Sequence, residues 1–180
     1  LKRNVTLFSI VNKKVYWETL TKHFNINFLH DPTAVRELNI KQDYFSSIIS
    51  CGVLEHVRET GGDEIVSLKN LTRSLKVNGT IIIYHLPLRY SYIEWISRNF
   101  TKSYTHPFRY TLRDINDIVA AVENLDIVEY GKYQFVPRRI FGKFPLPRLV
   151  AICIDTIDRL LCCTPLSNIA QCQYVVLRKT

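Results

Sequence analysis

The stretch YFSSIISCGVLEHV, residues 44–57, decides how the chain folds. Its first eight residues are apolar or small and read as a strand. Ser50, Cys51 and Gly52 then break the run, and Glu55 and His56 follow within a few residues. A carboxylate and an imidazole just past a buried strand have two readings. They are the mouth of a site, or two polar residues on an ordinary strand-to-helix loop that bond locally. The next segment, residues 61–79, carries helix punctuation: Asp63 as N-cap, Ile65, Leu68, Leu71 and Leu75 on one face, and Asn78-Gly79 as the stop. TIIIYHL (80–86) is a continuous apolar run of the kind buried on both faces of a sheet.

Working outward, residues 4–11 and 26–31 read as strands, and 13–24 as a helix between them. Residues 111–125 form a helix with Leu112, Ile115, Ile118, Val119 and Val122 inward, and 126–136 and 171–179 are late strands. Residues 137–168 hold Pro137, Pro145, Pro147 and Pro165 and one helix near 148–162, which marks an insertion between the last two strands. Alternating strands and helices predict an α/β doubly wound sheet. The two late strands, with no crossover helix between them beyond the insertion, predict an antiparallel pair at one edge.

Composition narrows the class. With 180 residues, 47% hydrophobic and 22% charged, the chain suits one globular domain. Its longest apolar stretch, 149–163, is broken by Asp155, Asp158 and Arg159, which argues against a membrane-crossing segment. Five cysteines without a CxxC pair suggest neither a zinc knuckle nor a disulfide framework, and fit a reducing, cytoplasmic setting. A net charge of +8 speaks to association rather than fold, and no nucleic-acid partner is expected from it alone. The chain opens on Leu1 and contains no methionine, so the expectation is a fragment, or a chain trimmed at its N-terminus.

Two motifs together resemble the second half of a class I S-adenosylmethionine-dependent methyltransferase, in the branch acting on quinone precursors, lipids and small metabolites. The first is Ile48-Ile49-Ser50-Cys51-Gly52-Val53-Leu54-Glu55-His56-Val57. The second is Arg73-Ser74-Leu75-Lys76-Val77-Asn78-Gly79, where the family carries Arg-x-Leu-Lys-Pro-Gly-Gly. HPFRYTLRDI (106–115) resembles the segment opening the family's helix before its sixth strand. The resemblance implies a Rossmann-like sheet with an antiparallel final strand, S-adenosylmethionine as cofactor, and a small or lipid-like acceptor.

It also implies roles by position. Asp31 and Pro32 would meet the adenine, Ser50 and Cys51 the methionine portion of the cofactor, and Glu55 and His56 the acceptor. His85 and His106 would border the same mouth, and the spacing of the five histidines suggests no metal site. Each residue also has a plainer reading: a turn before proline, a small residue under a helix, a local hydrogen bond. The family's glycine-rich loop has no counterpart here, and the acid ending its second strand is replaced within Ser9–Asn12. The expectation is therefore a sheet lacking its central first strand, inactive by itself, with two unpaired inner edges. Lys132, Arg138, Arg139, Lys143 and Arg148 form a cationic run without an acid across 131–148, interleaved with Phe135, Phe141 and Phe144. That run reads as a lid, as a contact for an anionic or lipid-bearing surface, or as a solvated loop. A non-catalytic methyltransferase-like module, binding a partner or an anionic surface through it, is the alternative function.

Overall fold

The computed structural model describes residues 5–9, 26–30, 41–101, 105–137 and 147–180. The helix expected at 13–24, Asp31 and Pro32, and most of the cationic run lie outside these residues. β1 (Val5–Ser9) and β2 (Ile26–His30) pair in parallel, with Val5 opposite Ile26. A second sheet holds β3 (Phe45–Cys51), β4 (Leu75–Pro87), β5 (Leu125–Tyr133) and β6 (Cys172–Lys179) in the order β3-β4-β6-β5. β3 and β4 are parallel, whereas β6 runs antiparallel to both β4 and β5. The antiparallel edge pair expected from the sequence is present. Among the described residues no ladder joins the two sheets.

Helix α1 (Glu64–Ser74) starts where its cap predicts: Asp63 Oδ1 accepts from the N–H groups of Ile65 (2.8 Å) and Val66 (3.1 Å). It stops earlier than the sequence suggested. Leu75 is already extended and opens β4, so Asn78-Gly79 does not close the helix. Instead Ser46 alone spans the stretch facing Lys76–Gly79, because Phe45 pairs with Leu75 and Ser47 with Thr80. The surplus residues loop out through Asn78 at φ 60°, and a Cβ on Gly79 would sit 2.7 Å from the Lys76 carbonyl oxygen.

Helix α2 (Tyr92–Ile96) is capped by Ser91 and runs into a wider turn at Ser97–Thr101. Helix α3 (Leu112–Ala120) opens on a capping box between Thr111 and Asp114 and ends short of the expected residue 125. Ile115, Val119 and Val122 are buried, but Leu112, expected inward, is 41% exposed. Helix α4 (Arg148–Cys162) falls where the insertion was expected to hold one. Leu68 and Leu75 pack with Ile81, Leu86, Val175 and Leu177 as the centre of the core. Each such side chain contributes about 1.5–3 kcal/mol on burial. β4 is buried on one face only: Ile81 and Ile83 are enclosed, but Tyr84 is 40% exposed, so the expectation of two covered faces does not hold.

Candidate active site at the strand ends

In an open α/β sheet, ligands bind beyond the carboxyl ends of the parallel strands. Here those ends are Ser50-Cys51 on β3 and Tyr84-His85 on β4. Ser50 is almost buried and Cys51 is exposed. Gly52 turns the chain at φ 67°, and its N–H donates to the Tyr84 carbonyl at 3.2 Å, tying the turn to β4. The next residues form a tight 3-10 turn, Leu54–His56. Leu54 and Val57 enter the core, and that anchoring carries Glu55 inward with them.

Glu55 is only 1% exposed, and neither carboxylate oxygen has a hydrogen-bond partner. Burial pushes its pKa up, against the pull of its own backbone N–H and of the His56 and His106 imidazoles. His56 lies at the surface beside it, its Nδ1 3.0 Å from Glu59 Oε1, so the local bond expected of an ordinary loop residue is present. The Cys51 thiol is also raised, first by burial and then by the Glu55 charge, and does not form a ready thiolate.

His106 comes from the loop before α3 and meets the same turn. Its ring centroid lies 5.7 Å from that of His56 and 6.4 Å from that of His85. It is held by Glu94 of α2, which accepts from His106 Nδ1 at 2.9 Å and from its backbone N–H at 3.1 Å. Burial works to raise the Glu94 pKa, but the His106 hydrogen bonds and charge outweigh it and leave the carboxyl below its ordinary value. His85 sits at φ 72°, a left-handed backbone that a non-glycine residue adopts only under constraint. Its Nδ1 lies 3.3 Å from the Tyr133 hydroxyl and 3.6 Å from Cys172 Sγ. The Tyr133 ring stacks on Tyr84 at 4.3 Å, and burial pushes the Cys172 thiol up to about 12.

The three histidines and Glu55 therefore gather at one end of the sheet. Glu94, Tyr84 and Tyr133 complete the surround and were not foreseen. No spacing in the sequence marks them, since each reaches the site from a different element. A groove of about 390 Å³ lined by Lys69, Arg73, Glu123 and Lys179 lies at the opposite end of the sheet, by the start of β5. Position rather than size selects the strand-end site.

No protein-family profile matches the chain, and no curated protein matches it in sequence. Solved structures do match. A SAM-dependent methyltransferase from Thermotoga maritima, a possible histamine N-methyltransferase, superposes with a TM-score of 0.59 at 14% identity, covering 97% of this chain and 72% of its own. An S-adenosylmethionine-dependent methyltransferase from Mesorhizobium loti gives 0.59 at 12% identity, covering 98% and 80%. The [4+2]-cyclase SpnF gives 0.60 at 11%, covering 98% and 66%. The chain has the Rossmann-like α/β fold of these structures.

Proposed function

We propose that the protein transfers a methyl group from S-adenosylmethionine to a small or lipid-like acceptor. The observation that carries this reading is the coincidence of the methyltransferase fold with the small residues Ser50, Cys51 and Gly52 at the carboxyl end of β3. Ser50 and Cys51 are small there and Gly52 turns the chain at φ 67°, which suits a wall against a cofactor. The opposite wall, a glycine-rich loop, has no counterpart in the 180 residues, and Asp31 and Pro32 enter only through the family resemblance. When bound, the cofactor supplies an electrophilic methyl group on a sulfonium. The chain's own residues have the tasks of aligning the acceptor and excluding water. Of the Glu55-His56 pair, we assign the proton-accepting role to His56, whose side chain is 31% exposed, because Glu55 is buried.

Calorimetric titration with S-adenosylhomocysteine tests this. Weak binding by the 180 residues is expected, tightened by adding a glycine-rich strand-loop-helix at the N-terminus and abolished by Ser50→Trp. Full-affinity binding by the 180 residues alone would remove the need for that second wall. Silence from both versions overturns the enzyme reading.

A second reading, contact with an anionic surface, is favoured by α4. On its inward side Asp158 is 5% exposed and accepts the Val136 N–H at 2.6 Å, between the half-buried Ile154 and Leu161. Its outward side carries Leu149 at 76% and Leu160 at 64% exposure, with Ile152 and Ile157 beside them. An outward apolar face on the helix that follows the acid-free cationic run of 131–148 in sequence suits an anionic lipid surface. No described helix is long and apolar enough to cross a membrane. Co-sedimentation with phosphatidylserine vesicles is expected, and is lost in the double variant Leu149→Ser, Leu160→Ser. Equal binding by wild type and variant, or none by either, would sink this reading.

A further inference from the structure

Glu55, His56 and His106 each offer one ligand atom, and these atoms lie within 4.8 Å of one another. We propose that they bind a divalent first-row transition ion of the Zn²⁺ class. Four features of the site support this, and none depends on methyl transfer.

The first is the state of Glu55. A carboxylate enclosed to 1% exposure, with neither oxygen hydrogen-bonded, is what a buried site looks like when its natural partner is a cation. One of its oxygens lies within 4.8 Å of a ring nitrogen of each of the two histidines. The second is the orientation of the imidazoles. Glu59 accepts from His56 Nδ1 and Glu94 accepts from His106 Nδ1. A carboxylate on one ring nitrogen fixes the tautomer, aims the other nitrogen and raises its basicity, the arrangement found behind metal-bound histidines.

The third is the spacing. Ligands about 2.0–2.2 Å from a tetrahedral ion stand roughly 3.3–3.6 Å apart. Gathering atoms that already lie within 4.8 Å needs only side-chain adjustment. The fourth is the donor set. Two imidazoles and one carboxylate are too rich in nitrogen for Ca²⁺ or Mg²⁺ and match zinc-type or other late divalent ions, with a fourth position left for water or a ligand. Three carboxylates around two imidazoles, with the Arg109 charge acting on Glu94 from outside, favour a cation there over an anion.

An ion at this place changes the part played by His56. A nitrogen that ligates a metal does not accept a proton from a substrate, so the two roles exclude each other. Metal titration without cofactor decides between them, and it leaves the methyl-transfer reading to be judged separately by S-adenosylhomocysteine.

Titration of the 180-residue chain with Co²⁺, read by its visible d–d absorption and displaced by Zn²⁺, is the test. One ion per chain is expected, with no thiolate charge-transfer band. His106→Ala and Glu55→Gln should abolish the bands while circular-dichroism melts show the fold intact. Glu94→Gln, which alters positioning only, should weaken affinity about 10–100-fold. Zn²⁺ should raise the melting temperature of wild type and not of His106→Ala. Absent bands, bands that survive both ligand substitutions, or a thiolate signature pointing to a cysteine site would each overturn the proposal.

Discussion

Two buried glutamates, one on each side of the same turn, show opposite solutions to one problem. Glu64 and Glu55 are both 1% exposed. Glu64 opens α1, where a negative charge suits the helix N-terminus. Its Oε1 accepts from the Tyr110 hydroxyl at 2.7 Å, and its Oε2 from Arg58 Nε at 2.8 Å. Burial and the Glu64 contact together push the Tyr110 pKa well above its ordinary value, so the hydroxyl stays a donor. Glu55 has none of this. The difference separates a group that holds the fold from one that the fold merely tolerates.

The largest effect should come from breaking the satisfied side. Glu64→Ala strands the buried Tyr110 hydroxyl, and urea unfolding should show a loss of about 3 kcal/mol. Tyr110→Phe removes only one donor and leaves Arg58 in place, so a loss of about 1–2 kcal/mol is expected by the same method. The smallest effect, and of opposite sign, belongs to the orphan. In chelator-treated protein at pH 7.5, Glu55→Gln should stabilise by about 1 kcal/mol, because an amide carries no charge to bury.

That gain should depend on pH in a set direction. The folded-state pKa of Glu55 is raised, so its favourable contribution is complete below the unfolded value and is lost as pH rises through the folded one. Wild type and variant should therefore converge in acid and separate towards neutrality. A gain that stays constant across pH would mean that the Glu55 pKa does not differ between the folded and unfolded chain and that the comparison with Glu64 is misdrawn. A loss at neutral pH in metal-free protein would mean that Glu55 already has a structural partner.

Local chemistry was legible in the sequence and its spatial consequences were not. The Asp63 cap, the bounds of α4 and the antiparallel last strand follow from neighbours along the chain, and they were readable. The end of α1 was misread because Asn78-Gly79 is a familiar helix stop, and here it serves a loop-out within a strand. The direction of α4 was not readable at all. Apolar residues lie all round it, and the side turned inward is the one where Asp158 accepts the Val136 amide between Ile154 and Leu161. Glu55 and His56 stood out at once. Their gathering with His106 and Glu94 depends on α2 and the loop before α3 folding back, and no spacing records that.

His85 carries one more consequence. Its left-handed backbone lies where β4 shifts register between Ile83 and Leu86, beside the strand-end site. For most residues that conformation costs about 1–2 kcal/mol, and for a β-branched one more. Position 85 therefore acts as a filter on substitution, set by backbone rather than by chemistry. A saturation library screened for folding alone should return glycine and asparagine there before alanine, and valine and isoleucine last. A library screened for activity should keep histidine only if the ring itself is used.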